Sequence, residues 1–173
     1  MALRKILLDD DPALRTPARP VEKFGRRLHM LLDDMAQTMY DANGCGLAAP
    51  QVGILQCAAV VDLDEDDSVL IELVNPQIVA AEGEAEDIEG CLSVPDIRGH
   101  VARPAKVTVR AQDRFGDPFE MEADGFLARC ICHEVDHLQG RLYTDIMSRE
   151  ATKEEIDAIA EKEKKKKRRK RKG

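Results

Sequence analysis

A chain of 173 residues with a net charge of −7, no tryptophan and only 3% aromatic residues fits one domain whose core must come from aliphatic and methionine side chains. No window approaches the ~18 uninterrupted apolar residues of a membrane span and the first eleven residues lack the apolar stretch of a secretory signal, which argues against a membrane-spanning or exported protein. Five cysteines, an odd number, are then expected to be free thiols in a reducing cytoplasm rather than disulfides.

The elements follow in chain order. Leu28, Leu31, Leu32, Met35 and Met39 recur at helical spacing, so a first helix is expected over 24–40, ended by Asp41, Ala42, Asn43 and Gly44. Beyond a glycine-rich turn, 56–63 and 68–74 read as strands joined by the acidic 64–67. Further strands are expected at 77–81, at 106–112 with its alternation in KVTVRAQ, and at 118–121. A helix over 124–138 should stop near Gly140, and Thr152 with Glu155 has capping-box spacing for a last helix. The pattern is α+β: antiparallel β-sheets packed around a central metal-binding helix, with an N-terminal and a C-terminal helix. Residues 1–150 make the expected catalytic domain and 151–173 a C-terminal helix and polybasic tail. From 162 onward there are ten basic residues and one acidic, a charge of +9 that leaves −16 on everything before it. Such a tail is either a solvated end or a dock for a polyanion, RNA foremost.

The chemistry concentrates in the run HEVDH. His133 and His137 are one helical turn apart and can point two imidazoles at one ion, while Glu134 is rotated by roughly 100° and suits a general base beside it. Phe126, Cys130, His133 and His137 fall at i, i+4, i+7 and i+11, on one helix face. The competing account is a pair of core histidines satisfied by backbone carbonyls. Upstream, Cys91 in EGCLS offers a thiolate that would complete a tetrahedral site with two nitrogens and a water, the alternative being a buried free cysteine. In GCGLAAPQVG the small residues Gly44, Gly46, Ala48 and Ala49 let another backbone approach, and the Gln51 amide could face a substrate carbonyl. Cys45, Cys57, Cys130 and Cys132 have no such company and are assigned to packing or pocket lining.

Three segments in order, GCGLAAPQ, EGCLS and HEVDH, make the chain closely similar to the peptide deformylase family (GxGxAAxQ, EGCLS and HExDH), in its bacterial form without an insertion between motifs. The resemblance covers nearly everything but the tail. It implies removal of the formyl group from N-terminal formylmethionine of nascent chains, with release of formate. It implies Cys91, His133 and His137 as metal ligands, Fe²⁺ as the ion with Zn²⁺, Ni²⁺ or Co²⁺ able to replace it, and Glu134 as acid/base. Gln51 and the Leu92 N–H would stabilise the oxyanion. Substrate backbone would lie along Gly44, Cys45 and Gly46 and near Gly90, with Arg98 against it and a methionine pocket walled by Cys45, Phe126, Cys130 and His133. Arg129 departs from the apolar residue expected there; its stem is expected to line the pocket and its head to reach solvent and favour acidic peptides. Asp136 and a Glu89–Arg103 pair are expected to support the ligands. The basic tail would hold the enzyme near the ribosomal exit, possible rRNA contact included. A zinc protease also carries two histidines and a glutamate on a helix but lacks the cysteine ligand, and a ribosome- or RNA-binding module with a structural metal would not turn over formyl peptides.

Overall fold

The computed structural model describes residues 2–63 and 68–170, so the acidic connection at 64–67 and the last tail residues lie outside the described residues. Helix α1 (Arg26–Asp41) is followed by strands β1 (Gly46–Ala48), β2 (Ala58–Val61), β3 (Ile71–Glu82), β4 (Ala85–Cys91), β5 (Val94–Arg103), β6 (Lys106–Gln112) and β7 (Pro118–Asp124). Helix α2 (Gly125–Leu138), a two-residue β8 (Arg149–Glu150) and helix α3 (Lys153–Lys170) complete the chain. One sheet has the order β1-β2-β3-β6-β7 and the other β4-β5-β8, with antiparallel pairing throughout both.

Apolar periodicity decides the packing. The α1 stripe of Leu28, Leu31, Leu32, Met35 and Met39 is buried against Leu47, Ala58, Val60 and Val74. On the opposite face of the same strands, Ala128, Ile131, Val135 and Leu138 of α2 pack on Ala48, Ala59, Val61 and Leu73, with Val107, Val109 and Ala111 of β6. Alternate residues of β2 therefore face different helices, which is why all four of its residues are buried. A third cluster, Leu14, Val94, Val101, Leu142 and Tyr143, backs the β4–β5 hairpin.

Two expectations change. The segments read as strands over 68–74 and 77–81 are parts of one strand, β3, interrupted by a register shift between Val74 and Gln77. Asn75 there has φ 51° and its side chain bonds Val21 N, Val21 O and the Gln112 Oε1, so a bulge rather than a turn absorbs the Asn-Pro pair. The hairpin β4–β5 was not expected at all, because AEDIEGC has a single β-branched residue among acidic ones and VPDIRGHVAR is interrupted by Pro95, Asp96 and Gly99.

Other local signals hold. Helix α2 stops where anticipated: Gly140 has φ +74° and a Cβ there would lie 2.7 Å from the Arg15 carbonyl oxygen, so both conformation and space demand glycine. At the start of α3 the Thr152 N–H donates to Glu155 (2.8 Å) and the Glu155 N–H to the Thr152 hydroxyl (3.3 Å). Among the described residues no helix is long and apolar enough to cross a membrane.

Candidate active site

Three side chains from two elements converge. Cys91 ends β4, and His133 and His137 lie one turn apart on α2, with one potential ligand atom from each inside a 4.8 Å span. The Cys91 Sγ is 3.3 Å from His137 Nε2, which is 3.1 Å from His133 Nε2. Tetrahedral coordination with bonds of about 2.0–2.3 Å sets donors at comparable separations, so the cluster fits one cation. The state of His137 favours it too. Burial first, then His133 and Arg103, pushes His137 well below its ordinary range and leaves a neutral imidazole. Burial likewise pushes the metal-free Cys91 thiol up to about 12, a proton that a divalent ion would displace.

Glu89 organises the second layer. Its carboxylate accepts from Arg103 Nε (2.9 Å) and Nη2 (3.1 Å), from Arg129 Nη1 (2.8 Å) and from His133 Nδ1 (3.0 Å). Burial opposes ionisation, but the His133 and Arg103 hydrogen bonds and charges outweigh it and hold the Glu89 carboxyl at about 2. An ionised carboxylate only accepts, so the His133 proton sits on Nδ1 and Nε2 turns its lone pair to the cluster. The expected Glu89–Arg103 pair is present, and Arg103 also bridges to Asp136. Sequence reasoning missed the Glu89–His133 bond, since no spacing rule links a strand residue to a helix 44 positions away.

Arg129 corrects the expectation of a solvent-reaching head. It is 5% exposed, and its guanidinium bonds Glu89, the Val101 carbonyl (2.8 Å) and the Ala85 carbonyl (2.7 Å). A guanidinium beside a buried carboxylate and two free carbonyls is better satisfied inward than in water.

Glu134 is 4% exposed and one of its oxygens, Oε2, has no hydrogen-bond partner among the described residues, as is true of His137 Nδ1. Burial, then Cys45 and Glu89, raises its carboxyl well above the ordinary range. A Cβ on Gly46 would overlap this carboxylate, so the second glycine of the GxG pattern makes room for Glu134. The Gln51 amide is fixed in orientation: Oε1 accepts from the Ala48 N–H (2.9 Å), and Nε2 donates to Ser93 Oγ (3.1 Å) and points at Cys91 Sγ (3.6 Å). Ser93 is a second residue that sequence reasoning missed. Leu92 and Ser93 form the turn between the paired Cys91 and Val94, and the Leu92 side chain covers Gly44.

The remaining candidates divide. Cys45 and Cys130 meet at Sγ···Sγ 3.3 Å across the β1–α2 contact. The exposed Arg98 lies over Gly90, its Cζ 3.4 Å from where a Cβ would be. Phe126, 54% exposed, borders with Arg129 and Asp87 a cavity of about 450 Å³ whose walls do not include Cys45, Cys130 or His133.

The chain is similar to known proteins over nearly its whole length. The family model for polypeptide deformylase matches residues 3–153. A peptide deformylase of Caldicellulosiruptor bescii is 57% identical over 157 residues, covering 91% of this chain and 93% of the relative. One from Acetivibrio thermocellus is 47% identical over the full length of both. The crystal structure of a peptide deformylase from Legionella pneumophila superposes with a TM-score of 0.81 at 45% identity, over 99% of each chain. With its motifs, fold and relatives in accord, the chain belongs to the polypeptide deformylase family.

Proposed function

We propose that Cys91, His133 and His137 hold one Fe²⁺ and that α2, as the central metal-binding helix, presents Glu134 to the formamide of N-formylmethionyl peptides. The activity is that of a peptide deformylase: hydrolysis of the formyl amide at the start of newly made chains, releasing formate and a free amine. The observation that carries the reading is the meeting of one cysteine sulfur and two imidazole nitrogens within 4.8 Å, next to a buried carboxylate whose Oε2 has no partner among the described residues. A bound divalent ion supplies Lewis acidity at this point.

The chain's own groups do the rest. Glu134 takes a proton from the attacking water and returns it to the departing amine nitrogen. Gln51 Nε2 and the Leu92 N–H donate to the developing oxyanion in this reading, which the fixing of the Gln51 amide by Ala48 and Ser93 supports. Peptide backbone adds along Gly44, Cys45 and Gly46 on one side and Gly90 on the other, with Arg98 over Gly90. Cys45, Cys130 and His133 wall the methionine pocket, while Phe126 borders the separate cavity beside Asp87 and Arg129. Arg129 instead braces Glu89. Gly46→Ala should lower formate release about a hundredfold, because it displaces the carboxylate by roughly an ångström, while metal content by elemental analysis stays unchanged.

The reading is tested by elemental analysis combined with formate release from formylated and acetylated peptides. Iron, formate from the first peptide and no cleavage of the second are expected; hydrolysis of internal peptide bonds would favour a protease instead. Iron as the native ion further predicts inactivation by air and recovery with Ni²⁺.

Residues 1–150 form the catalytic domain and 151–173 a helix and polybasic tail that docks on ribosomal RNA near the exit in the cytoplasm. Deleting 162–173 should leave turnover of free peptides unchanged and abolish salt-sensitive cosedimentation with ribosomes; a truncated chain that still cosediments overturns the docking.

A further inference from the structure

Of the four thiols that the chemistry above does not consume, Cys45 and Cys130 are the pair that meets. Their sulfurs are 3.3 Å apart, one on the residue before β1 and the other on α2. A disulfide needs about 2.05 Å, an approach of just over an ångström. Cys45 sits between two glycines at a strand end and is half-buried, whereas Cys130 is 4% exposed on a packed helix, so movement and first attack both fall to Cys45. The Cys130 S–H bonded to its sulfur also holds the Cys45 thiol below its ordinary range.

No other cysteine competes. Cys132 is two residues from Cys130 and so points roughly 200° away around the helix. The Cys57 thiol is turned to the Ala18 carbonyl (3.5 Å), and Cys91 lies in the ligand cluster.

We propose that Cys45 and Cys130 form a dithiol modification site that closes to an intramolecular disulfide on reaction with hydrogen peroxide. The Cys45 sulfur attacks one peroxide oxygen, the O–O bond breaks, and the departing hydroxide leaves as water, giving a sulfenic acid. The Cys130 sulfur then attacks the sulfenic sulfur, the S–O bond breaks, and the hydroxyl departs with the thiol proton as a second water. Two thiols lose two electrons to one peroxide. Gly46, next in chain to Cys45, packs on Glu134, one turn beyond Cys130, so the crosslink joins β1 to α2 beside the acid/base. On the deformylase reading above, on which this second part rests, closure raises the KM for formylmethionyl peptides.

The test treats metal-loaded protein, with Cys91 occupied, with graded peroxide, followed by alkylation and mass spectrometry of unreduced peptides. Cys45 and Cys130 should lose their thiols together as one linked pair, before Cys57 and Cys132, and dithiothreitol should restore both. In Cys45→Ser, Cys130 should stay alkylatable at the same dose. Cys45 over-oxidised with Cys130 still free, or Cys45 linked to another cysteine, overturns the site. A linked pair with unchanged KM overturns the coupling to the pocket alone. Untreated protein that releases no formate overturns the deformylase reading independently of the thiol result.

Discussion

Replacing Glu134 by alanine is expected to lower formate release about a thousandfold or more while leaving metal content and fold intact. In the proposed mechanism both proton transfers pass through this carboxylate, and positioned acid/base groups contribute about 10²–10⁴ in rate. Among the described residues Glu134 makes no ion pair and its Oε2 has no partner, and it is buried against Gly46. Its presence therefore costs stability, as an unsatisfied buried polar group does. Glu134→Gln should show the same loss of turnover with a urea midpoint no lower than that of the parent. Steady-state formate release, elemental analysis and urea unfolding on one preparation check all three. Turnover within tenfold of the parent would remove Glu134 from the acid/base role.

Replacing Glu89 by alanine should act through stability and the metal, not through the chemical step. Two buried guanidiniums and the His133 Nδ1–H would lose their common acceptor. Breaking a buried ionic network in this way costs about 3–5 kcal/mol, and losing the partner of a ligating histidine weakens metal binding about 10–100-fold. The Glu89 carboxyl is held at about 2 in the folded chain, below its ordinary 4.5. Its contribution is thus complete above about pH 4.5 and is lost as pH falls toward about 2. Urea unfolding against pH should show that acid-side loss in the parent and a flatter curve in Glu89→Ala, with chelator competition reporting the metal. Arg129→Leu should also destabilise but leave peptide-charge preference unchanged, since its head is engaged inside.

What could be read from residues alone was whatever is local or periodic. The α1 stripe, the alternation in β6, the Thr152–Glu155 cap and the i, i+4 histidines each depend on a few neighbouring positions, and each stands where the residues placed it. The chemistry of the donor set suggested Cys91 and motif resemblance assigned it as a ligand, although no periodicity could connect it to α2. The β4–β5 hairpin escaped notice because its strands have weak intrinsic preference and are held by pairing and by Glu89. Arg129 was misread for a related reason: whether a long cationic side chain turns outward or inward depends on acceptors supplied by β4 and β5, far away in sequence. The 3.3 Å meeting of Cys45 and Cys130 belongs to the same class. The amino-acid order by itself determined the fold class, the chemistry-bearing residue types and the helix that carries the histidines. Only the tertiary structure decided which distant donors meet which acceptors, because hydrogen bonds and ion pairs depend on ångström-scale distances that packing of the two sheets and α2 sets.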